Sequence, residues 1–421
     1  MTFNFQELWS FYAKVCAAAG ILTFMKPEDQ TIFLKLYQKL CQFVFSLFVL
    51  SMVYTLVTQH THLIVVIIAS SGLVIYFAIS AGPILLHLNH DEFMTVISWC
   101  QSFHNNNAHF DPKLEDLGKK FFEIAGHKSM KMMKIFSFLL AFDGFACTIL
   151  FTFVANLLPG DTLLAEYQPP LPFDVPFYNN EQATPESFRI NLFIQTAGII
   201  NGTLLGSVVM SIYFVIFIHL LTYLDVVLAI VGEFNGCLIG RKRNELLDSG
   251  EFVEVLYQIQ ETLESEADEF STYTKIIVDM CSQFHEQMAT FSDFSSLIFL
   301  IWECTSLFTT FISGIILLLE QEHIVLAIGV SMANFFYLIV CYVNSKILTK
   351  MSNINDALYN LPWYCMRPSE RRKILLAKHT MDVQIGFSSG GFHDLNLEQF
   401  MNVTNPHNAN SSLKLNRLIV I

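Results

Sequence analysis

Few residues in this sequence have the types and the spacing that catalysis or metal binding requires. His87 and His90 are three positions apart and could bind one metal ion from the same helix face. They also follow an apolar segment, where a polar helix end is expected in any case, so the metal site is the less favoured interpretation. No glycine-rich phosphate loop, Gly-x-Ser-x-Gly turn or His-Glu-x-x-His motif occurs. We therefore expect a protein that is not an enzyme and that binds no metal and no cofactor.

Two carboxylates stand within otherwise apolar segments, at Asp143 and Glu303. An acid inside a membrane span is costly, so each is a candidate for lining a ligand pocket, a water-filled cavity or an ion path. The alternative is that each pairs with a neighbouring hydroxyl or is held protonated between helices. Both interpretations stay open for Asp143. For Glu303, which is close to Trp302 and Thr305, the structural pairing is slightly favoured.

The composition indicates a membrane protein. Of the 421 residues, 53% are hydrophobic and only 14% are charged, whereas a soluble globular domain carries about 25% charged residues. The net charge is −13, and no basic face stands out that would suit a nucleic acid partner. We predict an all-α polytopic protein in a lipid bilayer.

Six apolar segments are long enough to cross a bilayer, which takes about 20 helical residues. They cover residues 40–57, 63–88, 135–158, 190–224, 294–319 and 324–345. Gly82 and Pro83 predict a kink in the second segment. The length of the fourth predicts a helix that tilts or projects into the cytosol. The connecting segments 91–134 and 225–290 have helical patterns.

The distribution of lysine and arginine sets the orientation. With the N-terminus inside the cell, the cytosolic segments hold 21 of the 24 basic residues, and the three external connections hold none. Cytosolic loops of membrane proteins carry such an excess of positive charge. The sequence therefore predicts an intracellular N-terminus, which argues against a G-protein-coupled receptor.

An apolar stripe recurs every three, four or seven positions between residues 252 and 291, as on one face of a long helix. Its members are Phe252, Leu256, Ile259, Leu263, Phe270, Tyr273, Ile277, Met280, Phe284, Met288 and Phe291. A helix that packs against its own neighbours is the favoured interpretation. A subunit-contact helix below the membrane is the alternative.

A series of short motifs lies between residues 355 and 400. Its residues are Ala357, Tyr359, Trp363, Tyr364, Arg372, Lys373, Leu375, Gly390, Gly391, Phe392, Leu397 and Phe400. This series resembles the C-terminal signature of insect odorant receptors of the odorant-specific, tuning type. Within it, Pro368 and Glu370 predict a helix start. The glycine pair permits a sharp change of direction, and Asn396 is expected to cap a further helix.

The resemblance implies a seven-span subunit of an odorant-gated, non-selective cation channel in the plasma membrane of olfactory sensory neurons. Four subunits would surround one pore, and this subunit would form a heterotetramer with a shared co-receptor through a cytosolic anchor that includes the signature residues. A small volatile odorant would bind in the outer half of the membrane. The expected ligand-binding residues are Tyr76, Phe77, Phe142, Asp143, Phe145, Ile149, Thr196, Ile199, Thr305, Phe308, Met332 and Phe335. The last helix would line the pore, with Leu413 and Asn416 as its pore residues.

The nearest alternative is a gustatory-type ligand-gated channel, whose C-terminal motif is shorter. A secondary transporter is less favoured, because neither inverted repeats nor paired broken helices are evident. After Val403 the sequence departs from the odorant receptor pattern, since residues 404–417 are polar and include the helix breaker Pro406. Six spans are therefore clear and the seventh is atypical.

These observations divide the chain into six parts. They are a cytosolic N-terminal segment (1–39), spans one to four with the ligand-pocket half (40–224), a cytosolic helical anchor (225–293), spans five and six (294–345), a cytosolic signature helix (346–394), and the pore helix with its atypical tail (395–421).

Overall fold

The structure is a computed structural model that describes most of the chain as helix. The described residues are 5–22, 27–58, 63–105, 118–135, 138, 185–248, 267–319, 333–363, 366–383, 385–398 and 400. The helices are α1 (Phe5–Ala18), α2 (Ile32–Thr58), α3 (Leu63–Leu88), α4 (His90–Asn105), α5 (118–135), α6 (Pro185–Asp248), α7 (Ala267–Leu319), α8 (Ala333–Tyr359) and α9 (Pro368–Asp382). A short 3-10 helix (Pro27–Asp29) precedes α2, and a hairpin of strands β1 (Ser388–Ser389) and β2 (His393–Asp394) follows α9.

Four described stretches are long and apolar enough to cross a membrane, namely Ile32–Thr58, Ala69–Leu88, Phe193–Gly236 and Ser271–Ile315. They contain or overlap the predicted spans one, two, four and five. The helix of span one, α2, begins at Ile32 rather than near residue 40. The helix of span two, α3, has the predicted bounds and continues through Pro83. Predicted span three lies almost entirely outside the described residues, as does the first part of span six.

The helices α6 and α7 are much longer than a bilayer requires. They contain 64 and 53 residues, which at 1.5 Å per residue gives lengths of about 95 Å and 80 Å. A hydrocarbon core is about 30 Å thick. Both helices therefore extend well beyond one membrane face, as predicted for span four. The expected domain boundaries at residues 225 and 293 lie inside these continuous helices rather than in linkers.

The main core forms where these extensions meet α1, α4, α5, α8 and α9. The described part of the apolar stripe is buried in that core, and its buried members are Tyr273, Ile277, Met280, Phe284, Met288 and Phe291. The favoured interpretation of the stripe is thus confirmed for these residues, because they pack within their own chain. Stripe residues 252–263 lie outside the described residues.

The local signals near the C-terminus form the structures that the sequence predicts. Pro368 is the first residue of α9, and the carboxylate of Glu370 accepts a hydrogen bond from the Arg367 N–H at 3.0 Å. This is one half of a capping box, because the guanidinium of Arg367 has no acceptor for the second bond. Gly390 and Gly391 have φ values of +58° and +76° and form the turn of the β1–β2 hairpin. Only glycine adopts such values without strain.

Candidate functional site

The predicted ligand-binding residue Tyr76 lies where α2, α3 and α6 approach closely. Its ring makes an edge contact with Phe48, with 4.9 Å between the ring centroids. A Cβ atom on Gly202 would lie 2.0 Å from Tyr76 Cε1, and one on Gly198 would lie 2.3 Å from Phe48 Cγ. The glycines of α6 therefore make the room that these two rings occupy, as small residues do where membrane helices pack.

The other described ligand-binding candidates are divided among three places. Ile199 packs in the same cluster as Tyr76, and Thr196 is half-buried on the same helix. Phe308 packs against Ile67 and Ile312 in a separate cluster, one turn from the buried Thr305. Phe77 is 65% exposed on the outside of the chain. Tyr76 and Phe77 therefore face different surroundings.

Part of the predicted pocket lies outside the described structure. Phe142, Asp143, Phe145, Ile149 and Met332 are not among the described residues, and of Phe335 only the backbone position in α8 is described. The assignment of a ligand to this half of the chain stays a prediction.

A polar cluster that the sequence did not reveal lies beside Thr305. The Asn334 Oδ1 atom accepts hydrogen bonds from the hydroxyls of Ser306 at 2.7 Å and Thr309 at 3.1 Å. The Asn334 amide donates to Thr310 Oγ1 at 2.8 Å. These bonds join α7 to α8 within an apolar bundle. The close spacing of hydroxyl residues on span five was the available signal, because such side chains often hydrogen-bond between membrane helices.

Glu303 is 5% exposed and lies at the junction of α7, α8 and the hairpin. Its Oε1 atom accepts a hydrogen bond from the Tyr337 hydroxyl at 3.0 Å and lies 3.0 Å from His393 Nε2. Its Oε2 atom accepts a hydrogen bond from the Ser389 hydroxyl. The structure therefore confirms the favoured interpretation of Glu303 as a paired carboxylate, and it adds partners from the signature segment.

The amide of Asn344, which is fully buried on α8, joins the two ends of the hairpin segment. Its Oδ1 atom accepts a hydrogen bond from the Phe387 N–H at 2.9 Å, and its Nδ2 atom donates to the carbonyl oxygens of Phe387 and Leu395. Backbone groups inside a protein must be paired, and here the side chain of one helix pairs those of a non-helical segment.

The hairpin is also bound on its α7 side and at its end. Ser292 donates its hydroxyl to the Gly386 carbonyl at 3.0 Å, and the Gly390 N–H donates to the Ser296 carbonyl at 3.0 Å. The Leu397 N–H donates to Ser345 Oγ at 3.1 Å. Residues 386–397 are thus fixed to α7 and α8, and a new helix begins at Leu397.

The described signature residues divide into partly buried and exposed groups. Ala357 packs against the main core, and the Phe400 ring lies 5.8 Å from that of Tyr337. The exposed members are Tyr359, Trp363, Arg372, Lys373, Leu375, Phe392 and Leu397. Tyr364, Leu413 and Asn416 lie outside the described residues. A packing role within the chain therefore suits only part of the series, and the exposed apolar members leave a surface that a partner could cover.

Two histidines, the buried His219 and the half-buried His104, connect the N-terminal helix to the bundle. His219 Nδ1 donates to the Val215 carbonyl at 2.7 Å, so its Nε2 atom is free to accept the proton of His104 Nε2, which is 3.0 Å away. The Phe5 ring stacks on His104 with 5.5 Å between the centroids. Burial, and then the nearby His219, lowers the pKa of His104 from 6.5 to about 3. His104 is therefore neutral near pH 7.

Within the described residues, no group of three or more histidine, cysteine, aspartate or glutamate side chains is arranged to hold a metal ion. His87 and His90 thus gain no third ligand from that part of the chain. The groups described above are pairing and packing groups, arranged around long membrane-crossing helices.

A bundle with several helices long and apolar enough to cross a membrane, an N-terminal helix packed on it and a hairpin fixed to α7 and α8 has the architecture of a multi-pass membrane receptor. The sequence matches the family described as 7tm Odorant receptor over residues 115–406. The chain therefore belongs to the odorant receptor family. The match ends close to where the polar tail begins.

Solved structures support the same fold. The chain is similar to the insect olfactory receptor OR5 from Machilis hrabei, with a TM-score of 0.68 and 13% identity over 99% of this chain and 97% of that one. The structure of that receptor in complex with eugenol gives a TM-score of 0.66, also at 13% identity over 99% and 97% of the two chains. No curated protein matches the sequence.

Proposed function

We propose that the chain is the odorant-specific subunit of an odorant-gated, non-selective cation channel that assembles with a shared co-receptor. It would act in the plasma membrane of olfactory sensory neurons. Family membership supports the receptor part of this proposal. The attachment of the hairpin to α7 and α8 is the structural observation that carries the channel part.

A small volatile ligand suits the membrane half of the bundle. The cluster around Tyr76 offers apolar and aromatic surface, and the Asn334 cluster next to Phe308 offers a few convergent polar groups. Small-molecule pockets have this composition, with mostly apolar walls and few placed hydrogen-bonding groups. The similar receptor from Machilis hrabei has been solved with eugenol, a small aromatic molecule. A ligand of that size class is proposed here.

The same helices that carry the ligand candidates also hold the hairpin. Thr305 and Phe308 lie within about one and a half turns of Glu303 on α7, and Glu303 binds Ser389 and His393 of the hairpin. The helix that begins at Leu397 follows directly and is expected to lead into the pore. A ligand that binds better when α7 and α8 take one arrangement would shift the closed-to-open equilibrium by that difference in affinity.

Subunit assembly would use the exposed apolar side chains of the signature segment. Phe392 is 81% exposed and Trp363 is 53% exposed. Large aromatic residues are enriched among the residues that carry most of the binding energy at protein interfaces. Phe392 is in the turn of the hairpin, so a subunit contact there would be close to the segment that leads into the proposed pore helix.

The test is to co-express the full chain with an odorant receptor co-receptor and to record current during application of a panel of volatiles. We expect an odorant-evoked current carried by both sodium and potassium. A chain that reaches the cell surface with its co-receptor and gives no current for any volatile would contradict the proposal. Replacement of residues 404–421 by an apolar helix of the family type tests the tail. A larger current in that chimera would show that the polar last segment limits the current of the original chain.

A further inference from the structure

The helix α5 is strongly basic in a chain whose net charge is −13. Its only described acid is Glu123, and its lysines are Lys119, Lys120, Lys128, Lys131 and Lys134, all exposed. The opposite face packs into the protein through the buried residues Phe122, Ala125, Ser129 and Met133. This division fixes the rotation of the helix, so the lysine ammonium groups project away from the core.

The predicted orientation places the end of α5 at the cytosolic edge of the membrane. Residue 135, the last described residue of α5, is the first residue of predicted span three. Lys131 and Lys134 therefore lie within one or two turns of the hydrocarbon boundary. The cytosolic leaflet carries anionic lipids, and each lysine near its surface contributes about 1 kcal/mol of attraction.

An open cleft of about 440 Å³ lies between α1 and the C-terminal part of α5. It is lined by Gln6, Glu7, Ser10, Phe11, Lys14, Met130 and Lys134. Lys14 comes from one wall and Lys134 from the other, and within the described residues neither forms a salt bridge. The two ammonium groups and the hydroxyl of Ser10 can donate hydrogen bonds to phosphate oxygens.

We propose that this cleft binds the phosphate-bearing headgroup of an anionic phospholipid from the cytosolic leaflet. The cationic groups provide the attraction, while Phe11 and Met130 give apolar surface for the glycerol and upper acyl region. Glu7 opposes an anion and is two turns from Lys14 on α1, or about 10 Å along the helix axis. The headgroup therefore lies at the end of the cleft that holds Lys14 and Lys134. A bound lipid would join the N-terminal helix to the membrane-proximal end of α5.

The experiment uses the full chain in phosphatidylcholine nanodiscs, titrated with a short-chain phosphatidylinositol bisphosphate. We expect saturable binding that weakens about fivefold in each of Lys14→Gln and Lys134→Gln and about 25-fold in the double variant. Glu7→Gln should bind more tightly, because it removes the opposing charge. Lys35→Gln is the matched control, since Lys35 is an exposed lysine on α2 near the same membrane edge but does not line the cleft.

Two results would overturn the proposal. Equal losses of lipid affinity in Lys14→Gln, Lys134→Gln and Lys35→Gln would mean that binding depends on the overall charge of the protein and not on the cleft. Free inositol trisphosphate that binds as tightly as the lipid would assign the cleft to a soluble phosphate compound. Apparent melting temperatures equal to that of the wild type would show that the variants are folded, as expected for exposed side chains.

Discussion

The Oε1 atom of Glu303 lies 3.0 Å from Nε2 of His393, although ninety positions separate the two residues. This contact joins α7 to β2, the second strand of the hairpin. Tyr337 and Ser389 donate hydrogen bonds to the same carboxylate, so its buried oxygen atoms are paired within the protein. A buried carboxylate held in this way fixes the position of the groups around it.

Removal of this carboxylate should destabilise the protein. Glu303→Ala leaves the hydroxyls of Tyr337 and Ser389 without their acceptor, and we expect a loss of about 3 kcal/mol in the free energy of unfolding. The measurement is the apparent melting temperature of the purified protein in detergent. Glu286→Ala on the exposed face of α7 is the control and should change little. A Glu303→Ala protein as stable as the control would contradict the network.

The contact with His393 can be isolated by a double-mutant cycle. Glu303→Gln and His393→Gln should each lower stability, and together they should lose less than the sum of the two. We expect a coupling energy above about 0.5 kcal/mol, as for residues in direct contact. Strict additivity of the two substitutions would show that the side chains do not interact.

The position of the hairpin segment should depend on Asn344, whose side chain pairs the backbone groups at both of its ends. Asn344→Ala leaves the Phe387 N–H and the carbonyls of Phe387 and Leu395 without partners, at a cost of about 1–3 kcal/mol for each buried group. We expect lower stability and a smaller odorant-evoked current at equal surface expression. Asn353→Ala, on the exposed side of the same helix, is the control. Unchanged currents and stability in Asn344→Ala would mean that the segment is held by other contacts.

The elements that sequence reasoning predicted well have local causes. The start of α9 follows from Pro368 and Glu370, and the hairpin turn follows from two glycines in sequence. The length of an apolar run determines where a span such as α3 can lie. Each of these signals occupies a few adjacent positions, so no knowledge of the rest of the fold is needed to interpret it.

The packing partners had no such local signal. The partners of Glu303 in the hairpin are 86 and 90 positions further along the chain. Asn344 is a single amide in an apolar span, and nothing in its neighbourhood indicates that it pairs with Phe387. The N-terminal residues were predicted only as a cytosolic segment, yet Tyr12 and Cys16 are buried in the main core. Such contacts depend on how whole helices approach one another.

The close approach of α6 to Tyr76 gives a test of the ligand-binding half. Gly202→Ala would place a methyl group 2.0 Å from Tyr76 Cε1, so the ring must move. We expect a loss of about 1–3 kcal/mol in stability from overpacking and a shift of about fivefold or more in the half-maximal odorant concentration. Gly206→Ala is the matched control, because its methyl group would meet only Ile79 at 3.9 Å. Equal odorant responses in both variants would show that Tyr76 is not part of the ligand site.

The exposed aromatic residues of the signature segment give a test of assembly. Trp363→Ala and Phe392→Ala should each reduce co-purification with the co-receptor by about tenfold or more, as for central interface residues. Their exposure predicts that the stability of the isolated chain stays unchanged. Phe311→Ala is the control, since Phe311 is 67% exposed but lies on α7 within a candidate membrane span. Full co-purification of both variants would place the subunit contact elsewhere.

The buried pair of His104 and His219 predicts a loss of stability in acid. The pKa of His104 is about 3 in the folded protein and 6.5 in the reference state, so the unfolded chain binds more protons between these values. The contribution is therefore complete above pH 6.5 and is lost as the pH falls towards 3. From pH 7 to pH 5 the loss is on the order of 2 kcal/mol. The measurement is the apparent melting temperature across that range.

The variant His104→Gln separates this pair from other titrating groups. It should reduce the pH dependence between pH 7 and pH 5, and at pH 7 it should lose about 1 kcal/mol with the hydrogen bond to His219. His127→Gln is the control, because His127 is exposed on α5 and should leave the pH dependence as in the wild type. If His104→Gln keeps the full acid sensitivity, the junction of α1, α4 and α6 is not what acid disrupts. If it loses that sensitivity, protonation of His104 within a site packed by Phe5 and Phe122 is the cause.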